Sequence, residues 1–253
     1  MRLTICHLYP DQMNIYGDRG NIIALSRRAA WAGLEVAVRR VELGERPDFR
    51  TFDILFLGGG QDREQARVAR DLAEVKGPSL REAVEDGLAL LAVCGGYQLL
   101  GRSFITASGA VLPGIELFDA STEAGRTRCI GDVIVRSDVA GAPRTLVGFE
   151  NHSGKTYLGA RAAPLGRVLF GHGNNGQDGS EGAVYRHACG TYLHGSLLPK
   201  NPWLTDLLIR RAVERRYGPA AALPHVDDEV EMRAHEAVIA RIRARGKLGK
   251  GAT

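Results

Sequence analysis

Residues 88–101, LALLAVCGGYQLLG, constrain the fold of this chain more than any other stretch. An unbroken apolar run reads as a strand buried on both faces. A cysteine and two glycines end it, and a helical pattern starts at once. Strands of that kind occur in parallel sheets with helices above and below them. A second apolar run, FDILFLGGG at 52–60, also stops in glycines, so the chain repeats the same strand ending.

The rest of the first half agrees with this reading. Strands are expected at 3–9, 35–41, in the 52–60 run and at 88–93, and helices at about 21–32, 63–75 and 79–85. Their alternation predicts an α/β fold, a mostly parallel open sheet with helices on both faces. Beyond Gly101 the pattern turns β-rich, with short strands expected at 132–135, 145–149, 167–170, 183–186 and 190–193. A helix over 202–216 opens on Pro202, the position where proline suits a first turn. Near Gly218 the stretch YGPAAALPHVDD reads as a connector. The expected division is therefore a domain over 1–217 and a C-terminal segment over 218–253, with a helix at 229–244 and a basic end.

Composition excludes several function classes. With 253 residues, 44% of them hydrophobic, the chain can bury a full core. No run approaches the roughly 18 apolar residues of a membrane span, and MRLTICHLYPDQ has no signal-type core, so the expected location is the cytoplasm. The cysteines at 6, 94, 129 and 189 are too scattered for a disulfide framework and are read as free thiols. A net charge of +4 is small for this length. The excess sits in ARIRARGKLGKGAT, read as a solvated terminus, and no nucleic-acid partner is expected.

The chemistry is expected at the carboxyl ends of the strands, where open parallel sheets bind ligands. Cys94 and the 58–60 glycines both lie there. A nucleophile on a sharp strand-to-helix turn is lifted out of its sheet, and the helix start behind it lowers a thiol's pKa and offers N–H groups to an oxyanion. A thiolate needs a base, and His194 in GTYLHGS also ends a strand. His152, His172 and His187 are the competing histidines. No CxxC or HExxH spacing marks a metal site, and GGGQD lacks the Lys-Ser/Thr ending of a phosphate loop. Asp18 reads as the cap of the helix near Asn21. Asn14, Tyr16 and Glu150 read as loop residues, and Asn151 and His152 are placed near the site.

CGGYQLLG, with LGGGQD before it and YLHG after it, resembles the class I glutamine amidotransferases of flavodoxin-like fold, in the branch shared with cobyric acid synthase. LYPDQMNIYGDRGN, GFENHSGKTYLG and GNNGQDGSEG resemble, within that branch, the glutaminase subunits of lipid II isoglutaminyl synthases. The resemblance covers about 3–217. It implies a glutaminase that releases ammonia from L-glutamine with no cofactor of its own. A Mur-ligase-like partner would use ATP and Mg to amidate the D-glutamate of the lipid II stem peptide. It implies Cys94 as nucleophile, His194 as base, the Gly60 and Gly95 N–H groups as oxyanion donors, and Gln98 and Arg128 as substrate-binding residues. Arg126 is an equal candidate beside Arg128.

One departure stands out. Typical members follow the histidine with Pro-Glu, whose acid orients the ring, whereas here Gly195 and Ser196 follow His194. Either a Cys-His dyad suffices, or a carboxylate comes from elsewhere, for instance from the partner. Two rival readings are a glutaminase for cobyrinate-type amidation and a non-catalytic module in which Cys94 senses redox state.

Overall fold

A computed structural model of the chain describes residues 1–15, 17–194 and 196–245, the side chains of Asp62 and Arg63 excepted. The expectation for Tyr16 and the last part of the basic end therefore lie outside the described residues. The first half is built from β1 (Arg2–Leu8), α1 (Arg19–Trp31), β2 (Glu35–Val41), β3 (Ile54–Leu57), α2 (Asp62–Asp71), α3 (Gly77–Glu85), β4 (Ala89–Val93) and the short α4 (Gly95–Leu99). A π-helical turn, Leu72–Lys76, joins α2 to α3. Then come β5 (Ser103–Ile105), β6 (Val111–Pro113), β7 (Ala120–Ser137), β8 (Arg144–Leu158), β9 (Gly166–Phe170), β10 (Ser180–Glu181), β11 (Ala183–Tyr185) and β12 (Ala188–Thr191). Helices α5 (Pro202–Tyr217) and α6 (Glu229–Ala244) close the chain.

The strands form two sheets. The first runs β11-β12-β4-β3-β1-β2. All its pairings are parallel except the antiparallel edge strand β11. Every residue of β3 and β4 is buried, which is why both read as continuous apolar runs rather than alternating ones. The edge strand β2 is largely exposed and carries charged residues among its valines. Helices α1 and α5 lie side by side, with α5 against β3 and β4.

The second sheet is mostly antiparallel, ordered β10-β9-β7-β5-β6, with β8 also paired to β7. Here the strands far outrun the short segments read from sequence. The β7–β8 hairpin extends from Ala120↔Leu158 to Ser137↔Arg144, and its register shifts between Ala124 and Cys129. The polar stretch EAGRTR in β7 is largely exposed, so it lacks the apolar alternation by which a strand is recognised. Phe149 ties this sheet to the first: its N–H donates to the His194 carbonyl, and its carbonyl accepts from the His194 N–H at 2.7 Å. α6 packs on the same hairpin, with Val238, Ile239 and Ile242 against Ile134 and Val147.

Candidate active site

Four neighbouring strands, β12, β4, β3 and β1, deliver their following residues to one edge of the first sheet. β4 ends in Cys94, whose backbone takes φ 50° and ψ −107°. That left-handed region is costly for a residue with a side chain, and here it turns the thiol out of the sheet. The Cys94 N–H donates to the Thr191 carbonyl on β12 at 2.8 Å, and the Gly96 N–H to the Gly58 carbonyl at 3.1 Å. Both bonds hold the elbow to the adjacent strand ends. A Cβ on Gly96 would sit 2.7 Å from the Gly58 carbonyl oxygen, which explains the second glycine of the motif.

His194 follows β12 and is fully buried. Its Nδ1 donates to Asp18 Oδ1 at 3.3 Å, and its ring also hydrogen-bonds Cys94. Burial opposes a charge on this imidazole. The electrostatic pull of Cys94 and the bonds to Asp18 and Cys94 outweigh it and push the ring up to about 10. The ring is thus biased toward its charged form where it meets the Cys94 sulfur.

Asp18 corrects the sequence expectation. It stands at the start of α1, yet its side chain makes no capping hydrogen bond. Oδ1 faces His194 instead, while Oδ2 accepts the Gly59 N–H at 2.7 Å. A carboxylate of this chain's own first loop, 176 residues away in sequence, thus stands against His194 in place of the acid missing after it. Ser196 locks that loop to the histidine loop by donating to the Gly17 carbonyl at 2.7 Å.

Beside the thiol is a cleft of about 400 Å³ lined by Gly60, Cys94, Gln98, Arg128, Asn151 and His152, among others. Gly60 N lies 3.1 Å from where a Gly95 Cβ would be, so the two glycine backbones meet next to Cys94. Among the described residues neither N–H is given to an acceptor. Gln98 is held at both ends, accepting from Gln65 Nε2 at 3.1 Å and donating to Tyr192 Oη at 3.0 Å. Tyr192 is stacked on His152, with ring centroids 3.6 Å apart. Arg128 Nε donates to Asn151 Oδ1 at 2.5 Å, which aims the guanidinium along the cleft wall. Arg126 is exposed and is not among the lining residues. Glu150 is not among the lining residues; it accepts the His172 and Gly173 N–H groups and so orders that loop, and it also meets the ring of His152.

Sequence reasoning placed Cys94, His194, Gly60, Gly95, Gln98, Arg128, Asn151 and His152, and all of them gather here. It missed Gln65, which continues the Gln98 hydrogen-bond chain, and misread Asp18. No local pattern marks either residue, because each is defined by partners distant in sequence.

A thiol on a strand-to-helix elbow, with a histidine against it and a carboxylate against that histidine, fits the glutamine amidotransferase class. The chain belongs to the family of CobB/CobQ-like glutamine amidotransferase domains, which match residues 4–202. It is 44% identical over 97% of its length, and 98% of the relative's, to the lipid II isoglutaminyl synthase (glutamine-hydrolyzing) subunit GatD of Staphylococcus aureus. It is 39% identical over 90% of its length, and 86% of the relative's, to the subunit of the same name from Streptococcus pneumoniae. Among solved structures, PurLQS from Thermotoga maritima matches 84% of this chain and 98% of that one, with TM-score 0.59 and 15% identity, a likeness of fold.

Proposed function

We propose that this chain is the glutaminase subunit of a lipid II isoglutaminyl synthase. The observation that carries the reading is the Cys94–His194–Asp18 line at the mouth of a polar cleft. Cys94 attacks the side-chain carboxamide of L-glutamine, and the oxyanion is received by the N–H groups of Gly60 and Gly95. His194 passes its proton to the leaving nitrogen, ammonia departs, and a thioester remains. His194 then takes a proton from water, which attacks the thioester and frees glutamate. Asp18 keeps the ring in the tautomer and orientation both steps need. Arg128 grips the substrate's α-carboxylate in two-pronged fashion, and Gln98 holds the amino-acid end.

No step in this sequence needs a cofactor on this chain. ATP and Mg act on a Mur-ligase-like partner, which activates the D-glutamate α-carboxyl of lipid II and receives the ammonia. The setting is the cytoplasmic side of cell-wall synthesis. Among the described residues no helix is long and apolar enough to cross a membrane. The end-to-end likeness to isoglutaminyl synthase subunits supports this acceptor over a corrin precursor. The buried histidine–carboxylate pair supports catalysis over redox sensing, since a sensor thiol needs no such base.

The test is glutamate release from L-glutamine by the purified chain, alone and with a co-expressed Mur-ligase-like partner. Because the carboxylate is in cis, the chain alone is expected to hydrolyse glutamine, and Cys94→Ser to abolish it. No release in either condition would remove the reading.

A further inference from the structure

The second sheet holds a thiol that glutamine hydrolysis does not use. Cys129 is 2% exposed and lies where β7 returns to register with β8, after the shift that begins at Ala124. Lys155 reaches across this gap from β8 and places Nζ 2.7 Å from Cys129 Sγ. Hydrogen bonds from N–H to oxygen sit at about 2.9–3.0 Å. Sulfur is the larger atom, so an ordinary N–H···S contact is longer still. The observed separation is too short for one and matches the span of a single oxygen bonded to both atoms.

A second feature points the same way. A Cβ on Gly125 would lie 2.8 Å from Lys155 Cε and 2.9 Å from its Cγ. The lysine stem therefore lies directly over the Gly125 backbone, and a side chain at 125 would force it to shift. Lys155 is half-buried, so the contact sits at the boundary with solvent and within reach of a small oxidant.

We infer that Cys129 and Lys155 form an oxidation site at which hydrogen peroxide joins the two side chains through one oxygen, as Sγ–O–Nζ. One peroxide converts the thiol to a sulfenic acid and water. A second converts the amine to a hydroxylamine and water. The hydroxylamine oxygen then bonds to sulfur and expels the sulfenic oxygen as a third water. Sulfur and nitrogen each lose two electrons, and each peroxide accepts two. Thiol reductants reverse the linkage. Arg128 is the adjacent residue, so closing the bulge fixes the strand segment from which its guanidinium enters the cleft.

The test uses the full chain carrying Cys94→Ser, so that no cleft thiol competes. After peroxide treatment, peptides containing Cys129 and Lys155 are expected joined, with a mass gain of one oxygen less two hydrogens. Dithiothreitol should separate them, and Cys129→Ser or Lys155→Arg should prevent the joining. Recovery of Cys129 unmodified, or as sulfinic or sulfonic acid with Lys155 free, overturns the site. The effect on the cleft rests on the glutaminase reading: L-glutamine affinity should differ several-fold between linked and reduced protein. Equal affinities overturn that effect. A chain that binds no glutamine in either form counts against the glutaminase reading and leaves the linkage standing.

Discussion

Asp18 shows how one residue can carry two readings. At the start of a helix an aspartate is expected to cap, and the carboxylate here instead serves His194 and the Gly59 N–H. Asp18→Asn keeps the shape and removes the charge that steadies the imidazolium. Catalytic turnover should fall by roughly 10²–10⁴, by analogy with the serine-protease triad, with KM little changed. The His194 ring, now near 10, should titrate at lower pH in that variant, which NMR of the ring protons reads directly. Unchanged turnover together with an unchanged titration would reject Asp18 as the positioning residue. Gly59→Ala tests the same spot sterically, since its Cβ would lie 2.9 Å from His194 Cε1. That variant should fold, as judged by circular dichroism, and lose most of its glutaminase activity.

At the scale of elements, β10 and β12 are coupled beneath the catalytic edge by Glu181. This fully buried carboxyl accepts from Thr191 Oγ1 at 2.6 Å and from the Tyr192 N–H at 2.8 Å. Burial pushes it up to about 7, against those bonds, and the charge of Glu150 adds to the rise. Between its ordinary value of 4.5 and about 7, the folded protein therefore holds a proton that the unfolded chain releases. Stability falls as pH rises through that window. Glu181→Gln should remove the slope and gain on the wild type by on the order of 2 kcal/mol at pH 8, with less gain at pH 5. Urea unfolding at the two pH values measures this, and equal differences at both would contradict it. The same scale explains what sequence reading left short. Buried β3 and β4 announce themselves as apolar runs, whereas β7 and β8 alternate contacts to a helix, a cleft and solvent, so no single period marks them.

For the whole molecule, α6 is the element whose placement matters most. Its Val238, Ile239 and Ile242 close a separate apolar cluster on the β7–β8 hairpin, and Arg241 forms a two-pronged pair with Asp132. The C-terminal helix thus braces the hairpin that supplies Arg128 and Asn151 to the cleft. Ile242, only 1% exposed, is its deepest anchor. Ile242→Ala should cost about 2–5 kcal/mol by the loss of burial and the cavity left behind. Denaturant unfolding followed by far-UV circular dichroism checks this, and a loss well under that range would mean that the helix sits only loosely on the sheet.

The parallel sheet, the elbow at Cys94 and the strand-end histidine were legible in the chain because each is a local pattern: a buried run, a glycine pair, a strand followed by a turn. Those patterns bring Cys94, His194, Gly60 and Gly95 to one edge wherever such strands pair in parallel. Tertiary structure alone decided which carboxylate meets His194, which arginine enters the cleft, and which amine lies against Cys129. Each of those contacts joins residues far apart in sequence or on different strands. Strand order and register determine them, and these arise only when the two sheets pack.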